Sequence, residues 1–167
     1  MASVLKVDSI QDTSGTGNIL MPNRPCFYAY MSSGTFAPDS SNSTKTPLNA
    51  TEVNQGSCWS TTDHQFTAPV AGKYFFGIQL YLGFSVTAIR VMHSVFRKNG
   101  SSSQQCELCG GTNADGGTHY HPTATGHCMI NLAANDYVTF NLGSASFSGS
   151  GNTYLYAQSR FFGYLIG

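Results

Sequence analysis

The 167-residue sequence predicts an all-β protein, a two-sheet antiparallel sandwich of about ten strands, on three observations. Aromatic residues make up 13% of the chain, and such residues favour strands. Apolar residues recur with a period of two from Arg24 onward. No segment has the apolar spacing and end caps of a helix.

Residues 1–23 differ in character from the rest of the chain. Their apolar points (Val4, Leu5, Val7, Ile10, Ile19, Leu20) are separated by the polar, Gly-rich stretch Thr13 to Asn18. Too few of them are present for a core. The segment is either a frayed terminus or an arm that orders against a partner surface.

The domain proper is predicted over 24–167. Phe27 to Met31 is a first strand, followed by a Ser/Thr/Asn/Pro-rich stretch from Ser32 to Asn54 with a short strand near Leu48. Trp59 and Phe66 bracket a turn-rich piece ending at Pro69. From Lys73 to Val86 the even positions Tyr74, Phe76, Ile78, Leu80, Leu82 and Phe84 form one apolar face, and the odd positions are mixed, as in a half-buried antiparallel strand. Ile89 to Lys98 is a second long strand running into Asn99-Gly100, a strong hairpin signal because both residues tolerate positive φ. Residues 101–127 read as a long polar loop. Met129 to Leu132 and Tyr137 to Leu142 are strands broken by Ala134-Asn135-Asp136, and 143–152 is a Ser/Gly surface loop. Thr153 to Ile166 is apolar on both faces, so it is expected to be buried twice, against the core and against another chain.

Charge narrows the function. Charged residues are only 10%, against roughly 25% in an ordinary soluble domain. Eight Lys and Arg balance eight Asp and Glu, and the pI is 6.9. A nucleic-acid partner would require a basic excess. No run reaches the ~18 apolar residues of a membrane span, and the N-terminus has no signal-peptide core, so neither a membrane protein nor Sec export is expected. A nearly uncharged surface of Ser, Thr, Asn and Gly is prone to self-association, and a homo-oligomer is expected to occupy much of it.

The run CWSTTDHQFTAPVAGKYFFGIQL, Cys58 to Leu80, resembles the signature stretch of the complement-q (C1q-like) globular heads, which group with the tumour necrosis factor jelly rolls. Phe66, Pro69, Gly72, Tyr74 and Phe76 occupy that pattern's places. Lys98-Asn99-Gly100, LAANDYV (Leu132 to Val138) and the closing SRFFGYLIG (Ser159 to Gly167) match it in order and spacing. Asn135 stands where the family usually has glycine, a substitution asparagine tolerates because it enters the left-handed region readily. The resemblance implies a jelly roll that assembles as a homotrimer. It also implies packing roles for Phe66, Tyr74, Phe76, Ile78, Phe140, Phe161, Phe162 and Tyr164 in the core and between subunits. LKVDSIQDTSGTGNIL, Leu5 to Leu20, is similar to the start of fibre and other virion surface proteins of tailed bacteriophages, notably cyanophages. That second resemblance implies a virion component assembled in the host cytoplasm, with Val4, Leu5, Val7, Ile10 and Ile19 anchoring it.

Five cysteines cannot all pair within one chain. Cys26 and Cys58 are expected to behave as small core residues. Cys106, Cys109, His119 and His121 offer three readings: a zinc site with four N and S ligands, a loop disulfide, or plain packing. Extended backbone would set Cys106 and Cys109 to opposite faces, which weighs against the zinc. No resident cofactor is otherwise expected. Catalysis is not expected either, since no nucleophile elbow, phosphate loop or paired-carboxylate pattern is present. The function predicted is therefore a trimeric capsid decoration or cement protein held to the major capsid protein by its arm, because one domain and a short arm leave no shaft. The alternative is a fibre or tail-tip protein whose loops 32–54, 101–127 and 143–152 bind a host glycan.

Overall fold

The computed structural model describes residues 24–38, 44–86, 89–101, 106–113, 123–146 and 151–166, with backbone alone over 83–86, 89–93, 106–113, 144–146 and 151–153. Twelve strands are present among them: β1 (Cys26–Tyr30), β2 (Thr35–Phe36), β3 (Ala50–Gln55), β4 (Trp59–Ser60), β5 (Gln65–Thr67), β6 (Gly72–Val86), β7 (Ile89–Lys98), β8 (Cys106–Asn113), β9 (Thr123–Leu132), β10 (Tyr137–Ser146), β11 (Gly151–Tyr156) and β12 (Arg160–Leu165). They form two antiparallel sheets, with no helix among the described residues. One sheet has the order β4-β5-β10-β7-β8; the other runs β2-β11-β6-β12-β1-β3, with β9 also on β6.

The core is an aromatic cluster between the sheets. Period two sends Phe27, Tyr74, Phe76, Ile78 and Phe161 inward from one sheet and Trp59, Phe66, Phe96, Val138 and Phe140 inward from the other, each no more than 5% exposed. Phe161 touches rings from both: Phe27 at 4.9 Å and Phe76 at 5.8 Å, then Trp59 at 5.4 Å, Phe96 at 5.5 Å and Phe140 at 6.0 Å. Fully burying each such phenylalanine contributes about 1.5–3 kcal/mol. Tyr74 keeps its hydroxyl satisfied by donating to the Val70 carbonyl at 2.8 Å.

The structure revises several expected strand limits. Leu48 is buried at 1%, but it lies in a strap rather than a strand. Thr46 N donates to the Phe140 carbonyl and Lys45 bridges Asn141, after which Pro47, with no N–H to give, stops the ladder; β3 starts only at Ala50. The expected loop 101–127 contains β8 and the first half of β9. Among the described strands each has one neighbour, β7 for β8 and β6 for β9, so both lie at a sheet edge. The tract 143–152 likewise holds the end of β10 and the start of β11. Thr153 to Ile166 is two strands, not one: β6 pairs with β11 as far as Leu155↔Leu82, then with β12 from Arg160↔Gln79. Two extra residues bulge between them.

Cys58 is buried in the core, and burial pushes its thiol up to about 12, so it stays protonated and packs as a small apolar group. Cys26 departs from the expected core role: it alternates with inward-facing Phe27, is half-buried on the outer face, and its thiol lies 3.8 Å from Gln55 Oε1.

The turn after β7 is fastened to the one before β10. Asn99 and Gly100 both take positive φ, as the hairpin signal requires, and Asn135 does so at φ 70°. The Asp136 carboxylate accepts from Asn99 Nδ2, the Ala133 N–H and Lys98 Nζ, each at 2.7 Å, while Asn99 Oδ1 accepts from Tyr137 N at 2.8 Å. The Asn99 hydrogen bond, then those from Lys98 and Ala133, lower the Asp136 pKa from 3.8 to about 2. A depressed carboxylate stabilises the fold above its unfolded pKa, and that stabilisation disappears as pH falls through the folded value. Asp136→Asn is therefore expected to lower the thermal midpoint by a few degrees near neutrality, with the gap to the parent closing between about pH 4 and pH 2. A gap constant across that range, measured by circular-dichroism melts, would show that the charge is not what matters.

Candidate functional site

With Phe27 and Ala29 inward on β1 and Phe161 and Gly163 inward on β12, the intervening residues must face away from the core. The register lines them up in three rows across β1, β12, β6 and β9. The first is Cys26, Tyr164, Phe75 and Met129; the second is Tyr28, Phe162, Gly77 and His127; the third is Tyr30, Arg160, Gln79 and Thr125. Val53 on β3 extends the second row beyond Tyr28.

The first two rows are apolar and aromatic. Tyr28 stacks on Phe162 at 6.1 Å, Phe75 on His127 at 5.7 Å, and Phe75 meets Tyr164 at 5.3 Å. Met129 is 71% exposed, Tyr164 46% and Val53 44%. An apolar patch of this kind on a sheet surface marks an interaction site. In the third row Arg160 is the one charged side chain; its Nε donates to Tyr28 Oη at 3.1 Å, and its guanidinium lies 5.2 Å from the Tyr30 ring centroid.

Of the residues assigned packing roles from the sequence, Phe66, Tyr74, Phe76, Ile78, Phe140 and Phe161 are core residues no more than 3% exposed. Phe162 and Tyr164 stand on the outer face. The arm residues Val4, Leu5, Val7, Ile10 and Ile19 lie outside the described residues, as do His119 and His121. Cys106 and Cys109 are placed on β8 by backbone register, opposite Phe96 and His93, three residues apart on extended chain. Among the described residues no cluster of three metal-ligating side chains occurs. The residues missed from sequence are Tyr28, Phe75, Met129 and Arg160; parity against their inward neighbours Phe27, Phe76, Ile130 and Phe161 was the signal that could have found them.

Gly77 makes the second row possible. A Cβ there would sit 2.4 Å from Phe162 Cζ, so the ring lies directly over the glycine. Gly77→Ala should displace Phe162 and destabilise the protein by about 1–3 kcal/mol in chemical denaturation, more than its lost backbone freedom can offset. A Gly77→Ala variant as stable as the parent would mean that the ring does not pack on the sheet there.

The comparisons agree with this architecture. The model of the C1q domain matches residues 26–166. Among solved structures, the globular domain of the zebrafish complement 1qA protein superposes with a TM-score of 0.58 at 15% identity, covering 86% of this chain and 98% of that one. The Eiger TNF of S. frugiperda superposes with a TM-score of 0.55 at 11% identity, covering 86% and 94%. No curated protein matches the sequence. The family model spans nearly all of the two-sheet domain, and the chain belongs to the C1q domain family.

Proposed function

We propose that this chain is a trimeric structural protein of a phage particle, which decorates or cements the capsid and grips the shell through residues 1–23. The observation that carries the assembly is the aromatic outer face. C1q-like domains typically form homotrimers and are in general binding and structural modules rather than enzymes. The rows holding Phe75, Tyr164, Met129 and Phe162 give such a trimer an apolar surface to bury, and closing a ring of copies also covers sheet edges that would otherwise recruit other strands. The virion placement rests on the likeness of Leu5 to Leu20 to the starts of phage surface proteins. In that role an extended arm would add main-chain bonds to the major capsid protein, with Val4, Leu5, Val7, Ile10 and Ile19 as side-chain anchors. Such a protein acts by contact alone and uses no nucleic acid, membrane or cofactor.

Particles lacking the protein are expected to lose resistance to heat and osmotic shock. Adding back the full chain should restore it, and adding a chain carrying Leu5→Asp and Val7→Asp should not. Particle stability unchanged by the protein, together with host adsorption blocked by the free chain, would contradict cementing and favour the glycan-binding fibre reading.

A further inference from the structure

Tyr28, Gln79, Tyr81, Thr123, Gln158 and Arg160 line a cleft of about 280 Å³ where β11 gives way to β12. The two-residue bulge builds it. Gln158 takes φ 78°, and Ser159, fully buried, accepts from Tyr81 N at 3.0 Å and donates to the Tyr156 carbonyl at 2.9 Å. Bulges recur beside binding sites, and the first strand residue after this one is Arg160.

Its guanidinium is incompletely satisfied. Nε is taken by the Tyr28 hydroxyl, but Nη1 is buried with no hydrogen-bond partner among the described residues. None of the described residues lining the cleft carries a carboxylate. The lining thus combines one cation with no anion beside it among the described residues, two phenol rings, two primary amides, one hydroxyl and Leu80. We propose that this cleft binds a carboxylate carried on a sugar ring, that is, one unit of an acidic saccharide. The carboxylate meets Arg160 where that residue lines the cleft, in a charge-assisted hydrogen bond. The apolar face of the ring lies against a tyrosine, and Gln79, Gln158 and Thr123 meet the sugar hydroxyls. A cleft of about 280 Å³ has room for a pyranose ring as well as the carboxylate. The proposal is independent of where in a particle the chain sits, and it places a saccharide on the sheet rather than on the loops.

The test is calorimetric titration of the full chain with trigalacturonate, with galactotriose and acetate as controls and the sedimentation mass of each sample recorded. Saturable binding of trigalacturonate is expected, with galactotriose and acetate on the order of tenfold weaker or more. Arg160→Gln should weaken trigalacturonate to a similar extent with no change in mass, Arg160→Lys should weaken it less, and Gln79→Ala should weaken it in an otherwise intact cleft. Equal binding of galactotriose would overturn the proposal, as would no saturable binding of trigalacturonate. A change in mass with Arg160→Gln would also overturn it, by assigning the guanidinium to a contact between copies; that outcome leaves the trimer reading standing.

Discussion

The fold depends on the interlock of aromatic rings around Phe161. This residue comes from the middle of the seven-stranded sheet and meets Trp59, Phe96 and Phe140 of the other sheet. Because side chains alternate, fixing Phe161 inward also fixes Arg160 and Phe162 outward. A one-residue slip of β12 would bury a guanidinium in the core and expose Phe161. Core packing and the outer surface are therefore one constraint seen from two sides. The face that the sheet offers to a neighbour is set by which rings the core needs.

Glycine makes the two sides compatible. A Cβ at Gly163 would come within 2.6 Å of Phe76 and 2.8 Å of Phe27, so the core rings crowd against the backbone of β12. Gly77 does the same on the outside, under Phe162. Two aromatic layers can flank one sheet only where the backbone beneath them is bare. Both glycines also weaken strand propensity, a cost that the ring contacts must offset.

Legibility in the sequence tracked burial. The long strands β6 and β7 were readable because β6 keeps an uninterrupted apolar face over Tyr74 to Leu82. The resemblance of Cys58 to Leu80, with Lys98 to Gly100, Leu132 to Val138 and Ser159 to Gly167 following in order and spacing, then gave the family. The edges were not readable: β8 (CELCGGTN), which pairs with β7 alone among the described strands, carries no apolar period. The bulge at 157–159 was invisible for a different reason. It inserts two residues, an even number, so the alternation from Leu155 to Phe161 continues in phase and the segment reads as one strand. Arg160 and its cleft were lost with it. The aromatic face was half legible: Phe162 and Tyr164 were named for packing, whereas Tyr28, Phe75 and Met129 needed the register to bring them together.

An exposed aromatic face on a nearly uncharged chain is stable in solution only if something covers it. The central claim is that other copies of the chain do so, three around an axis. Sedimentation equilibrium of the full chain tests this directly. The account predicts a mass near three times 17.9 kDa that is independent of concentration, and collapse to a folded monomer on Met129→Asp. A chain that stays at 17.9 kDa at every concentration would contradict it.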